Sequence, residues 1–427
     1  MPSEPAAFLW DESFLWGLLS FRALRERGLA FRLVSAEDIR RGRLREHRAL
    51  YVPGGWATNK MKSLGQDGVR AVTDFVRSGG TYVGICGGAG LATREGMGLV
   101  NVRRKPLSER VPSLSGPVRL RLSPHPLWEG VQGNVFHIWW PSQFVAEDEG
   151  LRTLASFEEA TADAFTSDVN VGDTACSEQA GWAALEERYA LNLDPRRMKG
   201  DPLVLEGSVG AGRVFLSLVH FDTPGDENGG RVLANMWGED QSPFHGDQSP
   251  FFTSPGSGNQ SPSPSSSRGG AGSQGTGVRD TGVRGAGALG TGALFEIVEE
   301  LFEVGVRNFL WFRRGPLIQW RRGVRGLEYF TLYEMVRELS LRLPRGAQTG
   351  ELVAELRAFA GKASGLLLRE RRALDRGERL TFREAADPGT RALREELFSR
   401  SKSHGGLFKR LLEKVDRRLY ALLGEEA

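Results

Sequence analysis

The segment Tyr82-Val83-Gly84-Ile85-Cys86-Gly87-Gly88-Ala89-Gly90 constrains this chain more than any other. An apolar β-type run leads into the cysteine, a helical pattern leaves it, and glycines stand on both sides. A side chain at a sharp strand-to-helix turn has a strained backbone, and the chain must pass close on either side, so small neighbours are required. Gly84, Gly87 and Gly88 supply that room. The N-terminal end of the helix turns unpaired N–H groups and a positive dipole end toward the thiol, favouring thiolate. Cys86 is the candidate nucleophile of a strand–nucleophile–helix elbow.

Such a turn needs a sheet around it, and the flanking pattern provides one. From residue 7 to about 238, short β-type runs alternate with helical patterns, the signature of an open, mostly parallel sheet covered by helices on both faces. Strands are expected at Ala7 to Trp10, Ala30 to Val34, Ala49 to Val52, up to Ile85, and at Arg213 to Val219; helices at Phe14 to Arg27 and Gln66 to Ser78. In the latter, Val69, Val72, Phe75 and Val76 share one face.

From 239 to 292 the composition turns to Gly, Ser, Pro and Gln, with Gln-Ser-Pro-Phe repeated at 241 and 248. Such a stretch cannot bury enough apolar surface to offset its ordering entropy and reads as a disordered linker. Its phenylalanines 244, 251 and 252 could form a docking motif, though low complexity alone also accounts for them. Residues 293–427 repeat leucine and aromatic residues every three or four positions, as an all-α helical bundle does, over Leu294 to Phe312, Leu327 to Leu343, Leu352 to Leu374 and Arg391 to Leu423. Three parts follow: an α/β domain over 1–238, a linker over 239–292, and a helical domain over 293–427.

With 427 residues, the chain has room for two cores. Its formal net charge of +3, from nearly balanced acids and bases, gives no field that would recruit nucleic acid or an anionic membrane. Arg313, Arg314, Arg321, Arg322 and Arg325 interleave with Trp311 and Trp320, but Glu296, Glu299, Glu300 and Glu303 precede them and solvated helix faces account for the arginines. Two cysteines far apart suit a reducing compartment rather than a disulfide framework. The N-terminus lacks a basic, then apolar, leader, and no run reaches the length of a membrane span, so a cytoplasmic location is expected. Cys176, in an irregular stretch, reads as incidental, and the histidines at 47, 125, 245 and 404 show no metal-ligand spacing. Neither a metal nor a cofactor is expected.

A cysteine nucleophile needs a base and a group that orients the base. His220 follows the apolar strand directly, where parallel sheets place their functional loops, and Asp222 lies two residues on. In an extended segment these two side chains point the same way, so the carboxylate can hold one ring nitrogen while the other faces Cys86. Tyr51-Val52-Pro53-Gly54-Gly55-Trp56 is a strand ending in a glycine turn. Its Gly54 and Gly55 amides, with that of Gly87, are candidate donors to an oxyanion. A bland reading stands beside each: Cys86 as a small buried residue, His220 and Asp222 as a capping pair, the glycines as a plain turn. The aromatic stretch from His137 to Phe144 could be core or pocket wall, with Trp140 the candidate substrate contact. Asp11, and Glu12 beside it, close the first strand at the same sheet edge and could face a substrate or cap a solvated turn.

The order Pro-Gly-Gly, then Gly-Ile-Cys-Gly-Gly, then His-x-Asp after a Gly-x-Gly-Arg-Val strand resembles the class I glutamine amidotransferase-like superfamily, and most closely the domain at the N-terminus of some biotin protein ligases. The resemblance covers roughly residues 7 to 238 and does not reach the linker or the tail. It implies a flavodoxin-like fold, Cys86 as nucleophile, His220 as base, and Asp222 where the family usually has glutamate. Glutaminases of the superfamily continue Cys-x-Gly-x-Gln; here the fifth residue is Gly90, which argues against glutamine as substrate. No Gly-Arg-Gly-Arg type loop occurs, so biotinylation is not implied. The expectation is a cysteine-dependent amidotransferase-like enzyme or hydrolase acting on a small amide or acyl substrate. The alternative is a non-catalytic binding or regulatory module whose helical part contacts a protein partner.

Overall fold

The computed structural model describes residues 5–147, 149–175, 181–238, 291–378, 380–381, 387–400 and 403–426. Cys176 and the linker expected at 239–292 lie outside these residues, except for Thr291 and Gly292, which open a helix.

The chain begins β1 (Ala6–Leu9), α1 (Phe14–Glu26), β2 (Phe31–Val34), α2 (Ala36–Arg40), β3 (Ala49–Val52), α3 (Ala57–Arg77), β4 (Thr81–Ile85), α4 (Gly87–Ala92). It continues β5 (Val102–Arg104), β6 (Leu114–Leu122), β7 (Val135–Trp139), β8 (Phe144–Ala146), β9 (Leu151–Ala160), β10 (Phe165–Thr166), β11 (Val169–Asn170), α5 (Val171–Ala175), α6 (Trp182–Tyr189), β12 (Pro202–Val209), β13 (Gly212–Ser217) and α7 (Glu227–Trp237). The expected strands and helices of the first half are found within a few residues of their predicted ends, except that α3 starts at Ala57 rather than Gln66, with a kink at Gly65 separating its first two turns from the expected helix.

Five strands pair in parallel in the order β2-β1-β3-β4-β13, the doubly wound order in which sites form beyond the carboxyl ends of the strands. β1, β3 and β4 are buried along their whole length, which is why they read as unbroken apolar runs in the sequence. β12 pairs antiparallel with β13, and β9, β6, β7, β10 and β11 extend the sheet in the same antiparallel sense. This antiparallel extension is the part of the sheet that the alternation of strand and helix does not announce. It also brings β7 beside the chain leaving β13, through a bridge between Ile138 and Val219.

The C-terminal region is α8 (Thr291–Arg307), β14 (Trp311–Arg314), β15 (Leu317–Trp320), α9 (Gly326–Arg342), α10 (Gly350–Asp375), α11 (Pro388–Phe398) and α12 (Gly406–Gly424). It is helical as expected, with one hairpin inserted: β14 and β15 pair antiparallel around Gly315, whose φ of +60° suits a residue without a side chain. The final helical pattern divides into α11 and α12, because Ser399, His404 and Gly406 all take positive φ.

These helices pack onto the α/β layer. α1 is buried nearly all round, from Phe14 and Leu15 through Phe21 to Leu24, since the sheet covers one side and α9 covers the other. Arg22 on the outer side of α1 is held by Glu334 at 2.8 Å and Glu338 at 2.5 Å, both on α9. Lys409 of α12 pairs with Glu12 at 2.9 Å, and Tyr420 donates to Asp38 at 3.2 Å. Among the described residues no helix is long and apolar enough to cross a membrane.

Candidate active site

Cys86 stands between β4 and α4 with φ +48° and ψ −102°, a conformation that L-residues rarely adopt. The flanking glycines make this turn possible. A Cβ on Gly84 would lie 2.6 Å from the carbonyl carbon of Gly88, and one on Gly88 would lie 2.0 Å from the carbonyl oxygen of Val52 in β3. The Cys86 amide is anchored to the carbonyl of Ser217 in β13 at 2.6 Å, tying the elbow to the strand that delivers the histidine. The thiol is half-buried and approaches the Trp139 carbonyl at 3.8 Å. Because α4 has only six residues, its dipole is smaller than that of a long helix.

His220 and Asp222 are each only 1% exposed. Asp222 Oδ1 lies 2.9 Å from His220 Nδ1, and Ser20 of α1 donates to Asp222 Oδ2. Tyr51 reaches Ser20 at 3.4 Å, so both carboxylate oxygens belong to one buried chain of polar groups. The imidazole backbone is fixed as well: His220 N–H donates to the His137 carbonyl at 2.9 Å, and its own carbonyl accepts from Thr223. Burial alone would lower the pKa of this ring. The negative charge of Asp222, then that of Cys86, together with the hydrogen bond to Asp222, reverses this and pushes His220 up to about 10. Its Nε2 is buried, makes no geometrically sound hydrogen bond, and lies close enough to Cys86 for that sulfur to act on it.

Gly54 and Gly55 are packed against the same place. A Cβ on Gly54 would meet the Trp16 ring at 2.9 Å and His220 at 3.1 Å; one on Gly87 would meet the Gly55 carbonyl oxygen at 1.8 Å. Gly55 has φ +113°. The structure therefore brings Cys86, His220, Asp222, Gly54, Gly55 and Gly87 to one edge of the parallel sheet. Trp140, with φ +51°, stands beside them, its ring 6.2 Å from that of Trp16. Asp11 is engaged differently: its carboxylate accepts from the Ala36 amide at 2.7 Å and from Ser63 at 3.2 Å, anchoring the loop between β1 and α1 to α2 and α3.

Sequence reasoning missed Trp16, Ser20, Tyr51 and Lys60. The signal for the first two was present, since Trp16 and Ser20 are four apart and share a face of α1. Lys60 is fully buried, donates to Ser13 and to the Asp11 carbonyl at 3.2 Å, and sits against Gly55. Burial outweighs the nearby carboxylates of Asp11, Glu12 and Asp416 and brings it down to about 7. Among the described residues no group of three or more His, Cys, Asp or Glu side chains could hold a metal ion.

Five parallel strands in doubly wound order, with Cys86 at the turn after the fourth and His220-Phe221-Asp222 after the fifth, define an α/β domain whose candidate site lies at the carboxyl edge of its sheet. Residues 12–96, which run from the β1–α1 loop past the elbow, match the family model for the N-terminal region of biotin-protein ligase. Comparison with curated proteins returns no match. Among solved structures, the chain is similar to a GMP synthase component from Thermoplasma acidophilum, with TM-score 0.35, 14% identity, and coverage of 54% of this chain and 90% of that one. A ThuA-like protein from Bacteroides uniformis gives TM-score 0.35 and 12% identity, covering 58% of this chain and 96% of that one. For a β-galactosidase from Bacillus circulans sp. alkalophilus the values are 0.29 and 13%, covering 51% of this chain and 29% of that one. Likeness at this level carries no argument about substrate or partner.

Proposed function

We propose that the chain is a cysteine-dependent, amidotransferase-like enzyme or hydrolase acting on a small amide or related acyl substrate. One observation supports the reading: the His220 imidazole, with Asp222 2.9 Å from its Nδ1, has a buried Nε2 without a hydrogen-bond partner and feels the charge of Cys86, the half-buried residue at the strained elbow. In that geometry Cys86 gives its proton to His220 and the sulfur attacks the carbonyl carbon. The tetrahedral oxyanion is met by the amides of Gly54, Gly55 and Gly87. As the carbonyl re-forms, the C–N bond breaks and His220 returns the proton to the departing amine, leaving a thioester on Cys86. Water, deprotonated by His220, then releases the acid and restores the thiol. Gly90, in place of the glutamine that glutaminases carry, favours an amide other than glutamine.

Thiol reactivity in a Cys176→Ser background tests this. Cys86 should be alkylated well below the pH at which a free cysteine ionises, about 8.5, and His220→Ala should move that profile upward. An ordinary cysteine profile in the unmodified site, unaltered by His220→Ala, would refute the proposal.

A further inference from the structure

Among the described tryptophans, five are half-buried, and three of these, Trp16, Trp140 and Trp320, lie in one row beside His220. Trp139, Trp237 and Trp311 are at most 3% exposed, and the Trp139 indole donates to Thr223 at 3.1 Å. These are core. Trp16, Trp140 and Trp320 are only half-buried, and they form a row leading away from the thiol and imidazole. The Trp16 ring lies 4.6 Å from the His220 ring, Trp140 lies 6.2 Å from Trp16, and Trp320 lies 4.9 Å from Trp140. Two come from the α/β layer. The third comes from β15, about three hundred residues after Trp16.

We propose that this row is the recognition surface for a flat, apolar, preferably aromatic group on the acyl side of the substrate, with Trp320 the specificity-determining residue. The inference rests on the hydrolase reading above and gives it a substrate class. Three observations support it. Trp140 is held at positive φ, a conformation costly for a bulky residue and typical of side chains aimed by function. Trp320 is fixed in place on the α/β layer: its neighbour Gln319 donates to Asn170 at 3.2 Å, the Arg322 amide donates to Asp168 at 3.3 Å, and the Arg322 guanidinium donates to the carbonyls of Arg188, at 3.2 Å, and Tyr189. A wall held this way loses little freedom when a ligand settles on it. Finally, the row is built of three apolar rings, and the charged neighbours of Trp320 along the chain are Arg321 and Arg322, whose like charge disfavours a cationic group.

The test uses the full chain carrying Cys176→Ser and two kinds of probe. Quenching of tryptophan fluorescence measures equilibrium binding of phenylacetamide against acetamide. Alkylation of Cys86, in which the thiolate forms an S–C bond and iodide leaves, compares N-benzyliodoacetamide with iodoacetamide. Phenylacetamide should bind at least about tenfold more tightly than acetamide, and the benzyl reagent should be preferred by a similar factor. Trp320→Ala should bring the ratio of the two alkylation rates close to that of a free thiol, and Trp320→Phe should restore most of it, which separates a lost contact from a lost fold. Equal binding of the two amides, or a rate ratio indifferent to Trp320→Ala, overturns the inference. If phenylacetamide binds preferentially while Cys86 reacts as an ordinary cysteine, the aromatic surface stands and the hydrolase reading falls.

Discussion

Asp222 is one methylene shorter than the glutamate that the family resemblance implies, and its environment shows how the shorter acid is held. Oδ1 is bound to His220 and Oδ2 to Ser20, so the carboxylate has no freedom to turn away from the ring. Its charge is also the largest influence that raises the His220 pKa against burial. Asp222→Asn should therefore lower the His220 pKa from about 10, as read by NMR titration of the ring. The same variant should slow alkylation of Cys86 near neutral pH by at least about tenfold. Ser20→Ala keeps the charge but loosens its aim, so a smaller loss in the same direction is expected. Ser20 was within reach of sequence reasoning, because it follows Trp16 by one helical turn. Lys60 was not, because nothing in a surface-type residue at the start of α3 signals that α12 and the β1–α1 loop enclose it.

At the scale of elements, the elbow is a packing problem solved by glycine. Gly88 lies so close to β3 that a methyl group would overlap the Val52 carbonyl. Gly88→Ala should cost about 1–3 kcal/mol in urea unfolding. Gly361, exposed within α10 and with open space where a Cβ would be, provides the contrast: Gly361→Ala should stabilise by about 0.5–1 kcal/mol in the same assay. The strands that carry the site were legible because β1, β3, β4 and β13 are buried and read as apolar runs, with their turns marked by glycine. The antiparallel strands were not. Their half-buried patterns, such as that of β9, mix apolar and polar residues and depend on partners distant in sequence. The hairpin was missed for a related reason: Trp311, Phe312, Leu317 and Ile318 continue an apolar pattern that extends α8 on paper, although Gly315-Pro316 marks the turn.

Across the whole molecule, the C-terminal helices are joined to the sheet by charged and aromatic contacts, and one of these predicts acid sensitivity. His404 packs against Phe14, Trp56 and Phe408, with ring centroids 5.5, 6.4 and 5.2 Å away. Burial, aided by the positive charges of Lys409 and Arg325, brings its pKa down to about 3, so the folded protein holds it neutral. The unfolded chain protonates the same ring near 6.5. Between those values the unfolded state binds the additional proton. The contribution of His404 is thus complete above about 6.5 and declines as pH falls toward 3. Unfolding midpoints should fall on going from about pH 7 to about pH 4, and His404→Asn, which tolerates the positive φ, should flatten that decline.

The indole of Trp320 gives this arrangement an unusual partition of labour. On the proposed reading, chemistry is lodged in one stretch of polypeptide, while choice of reactant depends on a hairpin that arrives much later in translation. Two separately expressed pieces, divided between residues 239 and 290, should regain selectivity on mixing, and exchanging the hairpin alone becomes a route to retargeting the thiol without altering it.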